Sequence, residues 1–257
     1  PQDNDGTIRR QMLGMKPGDI CQADQSFSLK IALQHLGLQP EFVDENHVQF
    51  GDLVVRKLDR YAGGYRLPKG EDSGYQILTN YRAQQPEKIK LRDLSILGES
   101  RTRGKFHNKI VLIGGDDGKD DQHKTPYSKN SLSKMSGVFV HAHMISHLLA
   151  AISGNEPLIR WWPQWIENVW ILGWTCSSAI IVLLTPDWLG KRLLFKILTV
   201  LSVQMLLYGI CFACFVKALW IPWIPASLGS ILAVLSYFFY SRAQAKKMIE
   251  IKSSINL

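Results

Sequence analysis

Four cysteines in 257 residues are too few for a disulfide scaffold, and their placement narrows the redox readings further. Cys21 stands alone in the front half, so that part has no internal disulfide framework. Cys176, Cys211 and Cys214 lie inside apolar runs. Cys211 and Cys214 have CxxC spacing, but a second pair, a neighbouring His and access to water are all missing. They read as small packing residues on one helix face. Nucleotide and hydrolase signatures are missing too. Gly114, Gly115 and Gly118 follow an apolar stretch without forming G-x-G-x-x-G or a Walker loop, and no Lys-Ser/Thr pair follows. Asp116, Asp117, Asp120 and Asp121 would repel a phosphate there. No G-x-S-x-G, kinase catalytic loop or Ser/His/Asp spacing occurs, so the segment reads as non-enzymatic and needing no cofactor. A secretory h-region is also lacking, and the chain is expected to lack its true beginning before Pro1.

What is present is divided sharply near Arg160. The front is polar and mixed in charge; beyond it, apolar stretches alternate with short basic connectors, and all eight Trp residues lie there. The net charge of +8 sits largely in "GKRLLFK" and "SRAQAKKMIEIK", beside apolar runs. Membrane-flanking cations explain it better than a nucleic-acid face. Residues 165–185, 197–216 and 218–240 are each long and apolar enough to cross a bilayer as a helix. Glu167 is their one strong charge and Gln204 the notable polar side chain within them, read as glue between helices.

Lys191, Arg192 and Lys196 between spans one and two, and Arg242, Lys246 and Lys247 after span three, outweigh Lys217 between spans two and three. The positive-inside rule then puts the tail, 241–257, in the cytoplasm and the front domain, 1–155, outside. Trp161, Trp162, Trp165, Trp220 and Trp223 would form one interfacial belt on the outer face. Pro222 and Pro225 fall in the first turns of span three, where a missing N–H costs little.

In the front half, "DNDGTIRRQML" reads as a turn leading into a strand; Asp3, Asp5 and Gly6 lack the later acids of a calcium loop. "QSFSLKIALQHLG" reads as a helix capped by Ser26 and ended by Gly37. "HVQFGDLVVRKL" and "GYQILTNYR" read as strands around the turn "YAGGYRLPKG", and "KLRDLSIL" as a short helix. "KIVLIGG" reads as a buried parallel strand, and "GVFVHAHMISHLLAAI" as an amphipathic helix. The expected class is α/β, a mixed, largely parallel sheet with flanking helices, incomplete at its N-terminus, followed by a three-helix transmembrane bundle. His143 and His147 are four apart, as metal ligands on a helix can be, yet "HMISH" lacks the Glu of H-E-x-x-H. Core or pocket-edge histidines are the preferred reading.

Taken together, "DNDGTIRRQML", "SFSLKIAL", "GGY", "GYQILTNYR", "LRDLSIL", "FHNKIVLIGG", the D-x-x-x-T-P of Asp121 to Pro126 and "SGVFVHAHMISHLL" occur in an order that resembles CHASE domains of the second type. These are extracytoplasmic sensory modules of bacterial signalling proteins, commonly followed by three membrane helices. The resemblance implies that Pro1 starts midway through the domain, and that the output is a separate cytoplasmic domain such as a kinase, cyclase or caspase-like domain. It marks Asn80, Arg82, Gly114, Asp121, Thr125, Pro126, Gly137 and His141 as shared motif positions. Asn80, Arg82, Asp121, Thr125 and His141 are the candidate ligand-binding residues, expected to converge at the carboxyl edge of the sheet. The competing account has Arg82 paired with Asp121 to brace the long loop.

The expected function is therefore a multi-pass sensor in the inner membrane, homodimeric, contacting the lipid bilayer and an unidentified small molecule. A docking or dimerisation module without ligand is the alternative, and a metal-assisted envelope enzyme a third.

Overall fold

The computed structural model describes residues 1–15, 24–97, 99–116, 121–128, 133–184 and 192–255. Cys21, Asp117, Gly118, Asp120 and Lys191 lie outside them. The described chain divides into two units: Pro1–Arg60 with Leu67–Ile159, and Tyr61–Arg66 with Arg160–Leu257.

The first unit begins with the expected turn. The Gly6 N–H donates to the Asp3 carbonyl at 2.8 Å, and the Thr7 N–H to Asp5 Oδ1 at 3.0 Å, a side chain standing in for a backbone partner. The chain then runs into β1 (Arg10–Gly14), which pairs antiparallel with β5 (Tyr75–Leu78), Arg10 opposite Leu78. Arg10 is 1% exposed. Its Nε donates to Asp3 Oδ1 (2.8 Å), and its Nη atoms to Gln76 Oε1 (3.0 Å), the Gln2 carbonyl (2.9 Å), the Glu71 carbonyl (3.3 Å) and Glu71 Oε2 (3.2 Å). A buried cation is tolerable only with this degree of satisfaction, because the desolvation it suffers is several kcal/mol.

Helix α1 (Phe27–Leu36) forms where local signals placed it. Ser26 Oγ accepts from the Leu29 N–H, and Gly37 closes the helix in the left-handed region at φ 67°. The stretch expected as one strand is instead a hairpin, β3 (His47–Phe50) and β4 (Leu53–Arg56), with β2 (Pro40–Phe42) added antiparallel. Gly51 at φ 58° supplies the positive φ that a two-residue hairpin loop needs. Helices α2 (Leu91–Leu97) and α3 (Glu99–Phe106) follow; α3 is an addition to the expected elements. The short pair β6 (Gln122–His123) and β7 (Met135–Ser136) leads into α4 (Gly137–Ile152). One core joins these pieces. Leu13 of β1, Leu29, Ala32 and Leu33 of α1, Val48, Phe50 and Val55 of the hairpin, Ile77 of β5 and Leu148 of α4 pack together.

The mixed α/β front and the helical rear stand as expected, but the strand pairing does not. Named strands of the first unit pair antiparallel in small sheets, not in a largely parallel one. In β2–β3–β4 the short links, such as the one through Gly51, permit only antiparallel neighbours, whereas parallel pairing needs long crossovers. Lys109–Gly115, expected as a buried parallel strand, pairs with no strand among the described residues, and Ile113 is 93% exposed.

The second unit holds α5 (Gln164–Leu184), α6 (Arg192–Val216) and α7 (Trp223–Ile255). Gln164–Leu184, Lys196–Val216 and Trp223–Gln244 are long and apolar enough to cross a membrane. Leu172, Leu184, Met205, Phe212, Leu232 and Phe239 point outward, as lipid-facing residues must. α5 and α7 pack closely because Gly229 gives room for Thr175, and Ser230 Oγ donates to the Trp174 carbonyl at 3.2 Å. Gln204 Oε1 accepts from Ser227 Oγ at 2.6 Å, so the buried amide does join α6 to α7. Cys211 lies in the cluster of Leu207, Ile221 and Ala226, with Cys214 packed beside it, both free thiols. The third span, expected from Ala218, starts at Trp223. Ala218 takes φ 56°, and Leu219–Trp220 (β9) pair parallel with Arg160–Trp161 (β8) before Pro222 precedes the helix.

The Arg10 network gives a direct test. Arg10→Ala leaves Asp3 without its buried partner and should cost about 3–5 kcal/mol in urea pulse proteolysis. Arg10→Lys should recover only part of this, since one ammonium cannot serve acceptors spread around a planar fork.

Candidate functional site

The N-terminus of α4 is where the sequence motifs meet. The Gly137 N–H donates to the Asp121 carbonyl at 3.1 Å, and the Asp121 carboxylate lies against the Gly137 Cα, where any Cβ would collide with it. A carboxylate at this position complements the positive end of the helix dipole. Ser136, the residue before the helix, makes no side-chain cap, so Asp121 is the acidic group at this helix start. Gly114 is needed for a similar reason: a Cβ there would sit 2.9 Å from the Val138 Cβ. The motif glycines are thus contact points between loop and helix.

Asp121 also pairs with His123, Oδ1 to Nε2 at 2.7 Å. One turn into α4, His141 Nδ1 lies 3.0 Å from Ser28 Oγ, and the His141 ring meets Phe27 edge-on at 5.2 Å. The His141 pKa is lowered by burial, opposed by the Asp121 charge and reinforced by His123. Asp121, His123 and His141 therefore form one electrostatic group, bordered by Ser28 and Phe27.

The other candidates stand elsewhere. Arg82 donates from Nη1 to Ser146 Oγ at 3.1 Å and pairs through Nη2 with Glu156 Oε1 at 2.8 Å. The expected Arg82–Asp121 pair is therefore corrected. Ser146 lies five residues beyond His141, about 7.5 Å along the helix axis. Thr125 is buried in a turn, its N–H donating to Ser128 Oγ at 3.0 Å and its carbonyl accepting from the Ser128 N–H at 2.9 Å. Tyr127 Oη donates to the Tyr81 carbonyl at 3.1 Å, tying the T-P turn to "TNYR". Asn80 is half-buried two residues past β5. Asp121 and His141 come together, while Arg82 and Thr125 do bracing work. Sequence reasoning passed over His123, Ser28, Ser146 and Glu156. His123 was findable, since alternation along "DQH" puts it on the same side as Asp121; the others carry no local signal.

His143 and His147 face the interior rather than an open site. His143 Nε2 lies 3.3 Å from Gln85 Oε1, with its ring 5.5 Å from that of Tyr81. His147 is 0% exposed, and its pKa is pushed down to about 4, first by burial and then by the Arg82 charge. Burial lowers His143 in the same direction. Among the described residues no group of three or more His, Cys, Asp or Glu is placed to hold a metal ion.

A small α/β unit and a unit of three helices long and apolar enough to cross a membrane define the class, a membrane protein with a folded α/β domain. The CHASE2 domain model matches residues 1–180, the whole first unit and most of α5, and the chain belongs to the CHASE2 family. CHASE2 is a sensory domain, so this is a sensory membrane protein. No curated protein and no solved structure matches the chain.

The buried imidazole sets a pH dependence. His147 is neutral when folded, whereas an unfolded His titrates near ~6.5. Between pH about 6.5 and about 4 the unfolded chain binds the extra proton, so stability held above that window is lost as pH falls through it. Thermal melts should decline over this range by up to about 3 kcal/mol of stability, and His147→Leu should flatten that decline.

Proposed function

We propose that this chain is the input half of a membrane receptor. The α/β unit lies outside the cytoplasmic membrane and responds to a small polar molecule or an envelope condition. The three helices carry its state inward to a cytoplasmic output domain, such as a kinase, cyclase or caspase-like domain, and the receptor works as a homodimer. The observation that carries this reading is the extent of the CHASE2 match, which includes the α/β unit and continues into the first span. Sensory unit and first membrane helix are one family-defined piece.

The basic residues Arg242, Lys246 and Lys247 on the extension of α7 support the orientation. A ligand would act by favouring one of two packings of the spans, and only to the extent that it binds the two states differently. The group best suited to receive it is Asp121, His123 and His141 with Ser28, which offers a carboxylate acceptor, two imidazoles and a hydroxyl at a helix end. Arg82 and Thr125 hold the surrounding segments. The segment itself performs no chemistry in this reading.

A second reading, a docking module without ligand, is favoured by one observation: Val111 and Ile113 are 47% and 93% exposed on an apolar stretch that pairs with no strand among the described residues. Ile113→Asp should lower self-association in analytical ultracentrifugation if that stretch joins two copies, and leave it unchanged if ligand sensing alone explains the domain.

Orientation is tested with an impermeant thiol reagent on otherwise cysteine-free variants in intact cells. A cysteine replacing the exposed Gly154 should be labelled at once, and one replacing Lys247 only after permeabilisation. The reverse pattern would end the receptor reading. Asp121→Ala should then abolish a ligand-induced rise in melting temperature found by screening small polar solutes, while Arg82→Ala should lower the baseline.

A further inference from the structure

The chain crosses between its two units at three places: Arg60–Tyr61, Arg66–Leu67 and Ile159–Arg160. The first two belong to one short excursion. Its neck lies in the first unit and is pinched shut, with the Leu67 N–H donating to the Arg60 carbonyl at 3.1 Å and Arg60 Nε to the Leu67 carbonyl at 2.6 Å. Its tip, Tyr61–Arg66, belongs to the second unit, where Ala62 and Gly63 are buried.

Two residues of the membrane unit hold that tip. Glu167, in the first turn of α5, is 6% exposed, and its Oε1 accepts from the Gly63 N–H at 3.2 Å. The Trp220 ring lies where a Gly63 Cβ would be, at 2.8 Å, and meets the Tyr65 ring edge-on at 5.5 Å. Gly63 also takes φ 57°, ψ 32°, so glycine is required twice over, by backbone conformation and by space. Trp220 is part of the β8–β9 pair that fixes where α7 begins. A carboxyl at a membrane edge is costly to bury, and a contact to a main-chain N–H from a distant loop is a specific use for it. The same loop therefore grips the starts of the first and third spans.

We infer that Tyr61–Arg66 is a latch that transmits movement of the α/β unit to the spans, with the Glu167 carboxyl and the Trp220 ring as its catch. A tug on the pinched neck cannot be absorbed by slack within the loop, because the neck is closed by two hydrogen bonds. The movement passes to α5 through Glu167 and to α7 through Trp220. Release of the Gly63–Glu167 bond uncouples the spans. This inference rests on the receptor reading for its purpose, but the catch itself is measurable without any ligand or output domain.

The experiment is hydrogen–deuterium exchange on the full chain in lipid nanodiscs. One lost hydrogen bond of ordinary strength corresponds to about tenfold faster exchange in the 61–66 segment for Glu167→Ala. Glu167→Gln, which keeps an acceptor oxygen, should stay close to wild type. Arg10–Gly14 and Tyr75–Leu78 should exchange unchanged in both variants. Arg60→Ala, which loosens the neck, should speed exchange at 160–167 in the protein with Glu167 and not in the Glu167→Ala background. Wild-type exchange of 61–66 in Glu167→Ala would overturn the latch, as would equal acceleration throughout the α/β unit, or a neck effect that ignores Glu167. A protein with an intact latch but reversed orientation would instead remove the receptor reading and leave the catch standing.

Discussion

The first unit depends on a guanidinium taken out of water. Arg10 sits on β1, and the groups that satisfy it come from the N-terminal turn, from β5 and from the Glu71 loop. The native arrangement of these segments brings the acceptors to the fork, and leaving a buried guanidinium without them is costly, which favours their register. With β1 and β5 held, the face bearing Leu13 and Ile77 is presented to α1 and α4, and the core closes on Leu148. The adjacent Arg9 supports the same turn from the surface, pairing with Asp3 at 3.0 Å and Asp5 at 2.7 Å.

The family motifs acquire physical meaning at the start of α4. Gly114 and Gly137 are places where one segment touches another more closely than a Cβ allows. Asp121 supplies the negative charge that the helix start attracts, and its field reaches His141. The loop and the helix start are therefore in close contact, with the Asp121, His123 and His141 side chains gathered beside them.

The membrane unit solves a different problem. Its helices satisfy their own backbone groups, so lipid imposes no further requirement than an apolar exterior. Specific association then falls to small residues and to a few polar ones: Gly229 against Thr175, Ser230 on Trp174, Gln204 with Ser227. Three Trp rings, Trp162, Trp170 and Trp174, stack edge to face along the first span's entry, at 5.6 and 5.5 Å. The loop tip at Gly63 joins this same end, held by Glu167 and the Trp220 ring.

The sequence by itself determined what is local or compositional. The three spans followed from length and apolarity, α1 from Ser26 and Gly37, α4 from its periodicity, and the helix-joining use of Gln204 from the scarcity of polar groups around it. Only the tertiary structure decided which distant groups meet: Arg82 with Glu156 rather than Asp121, His141 with Ser28, and Glu167 with the Gly63 amide. It also decided that the strands pair antiparallel and that Lys109–Gly115 pairs with no described strand. The reason is physical. Caps, turns and hydropathy act over a few residues and leave their mark there, whereas charge partners and strand neighbours are chosen by the packing of the whole unit.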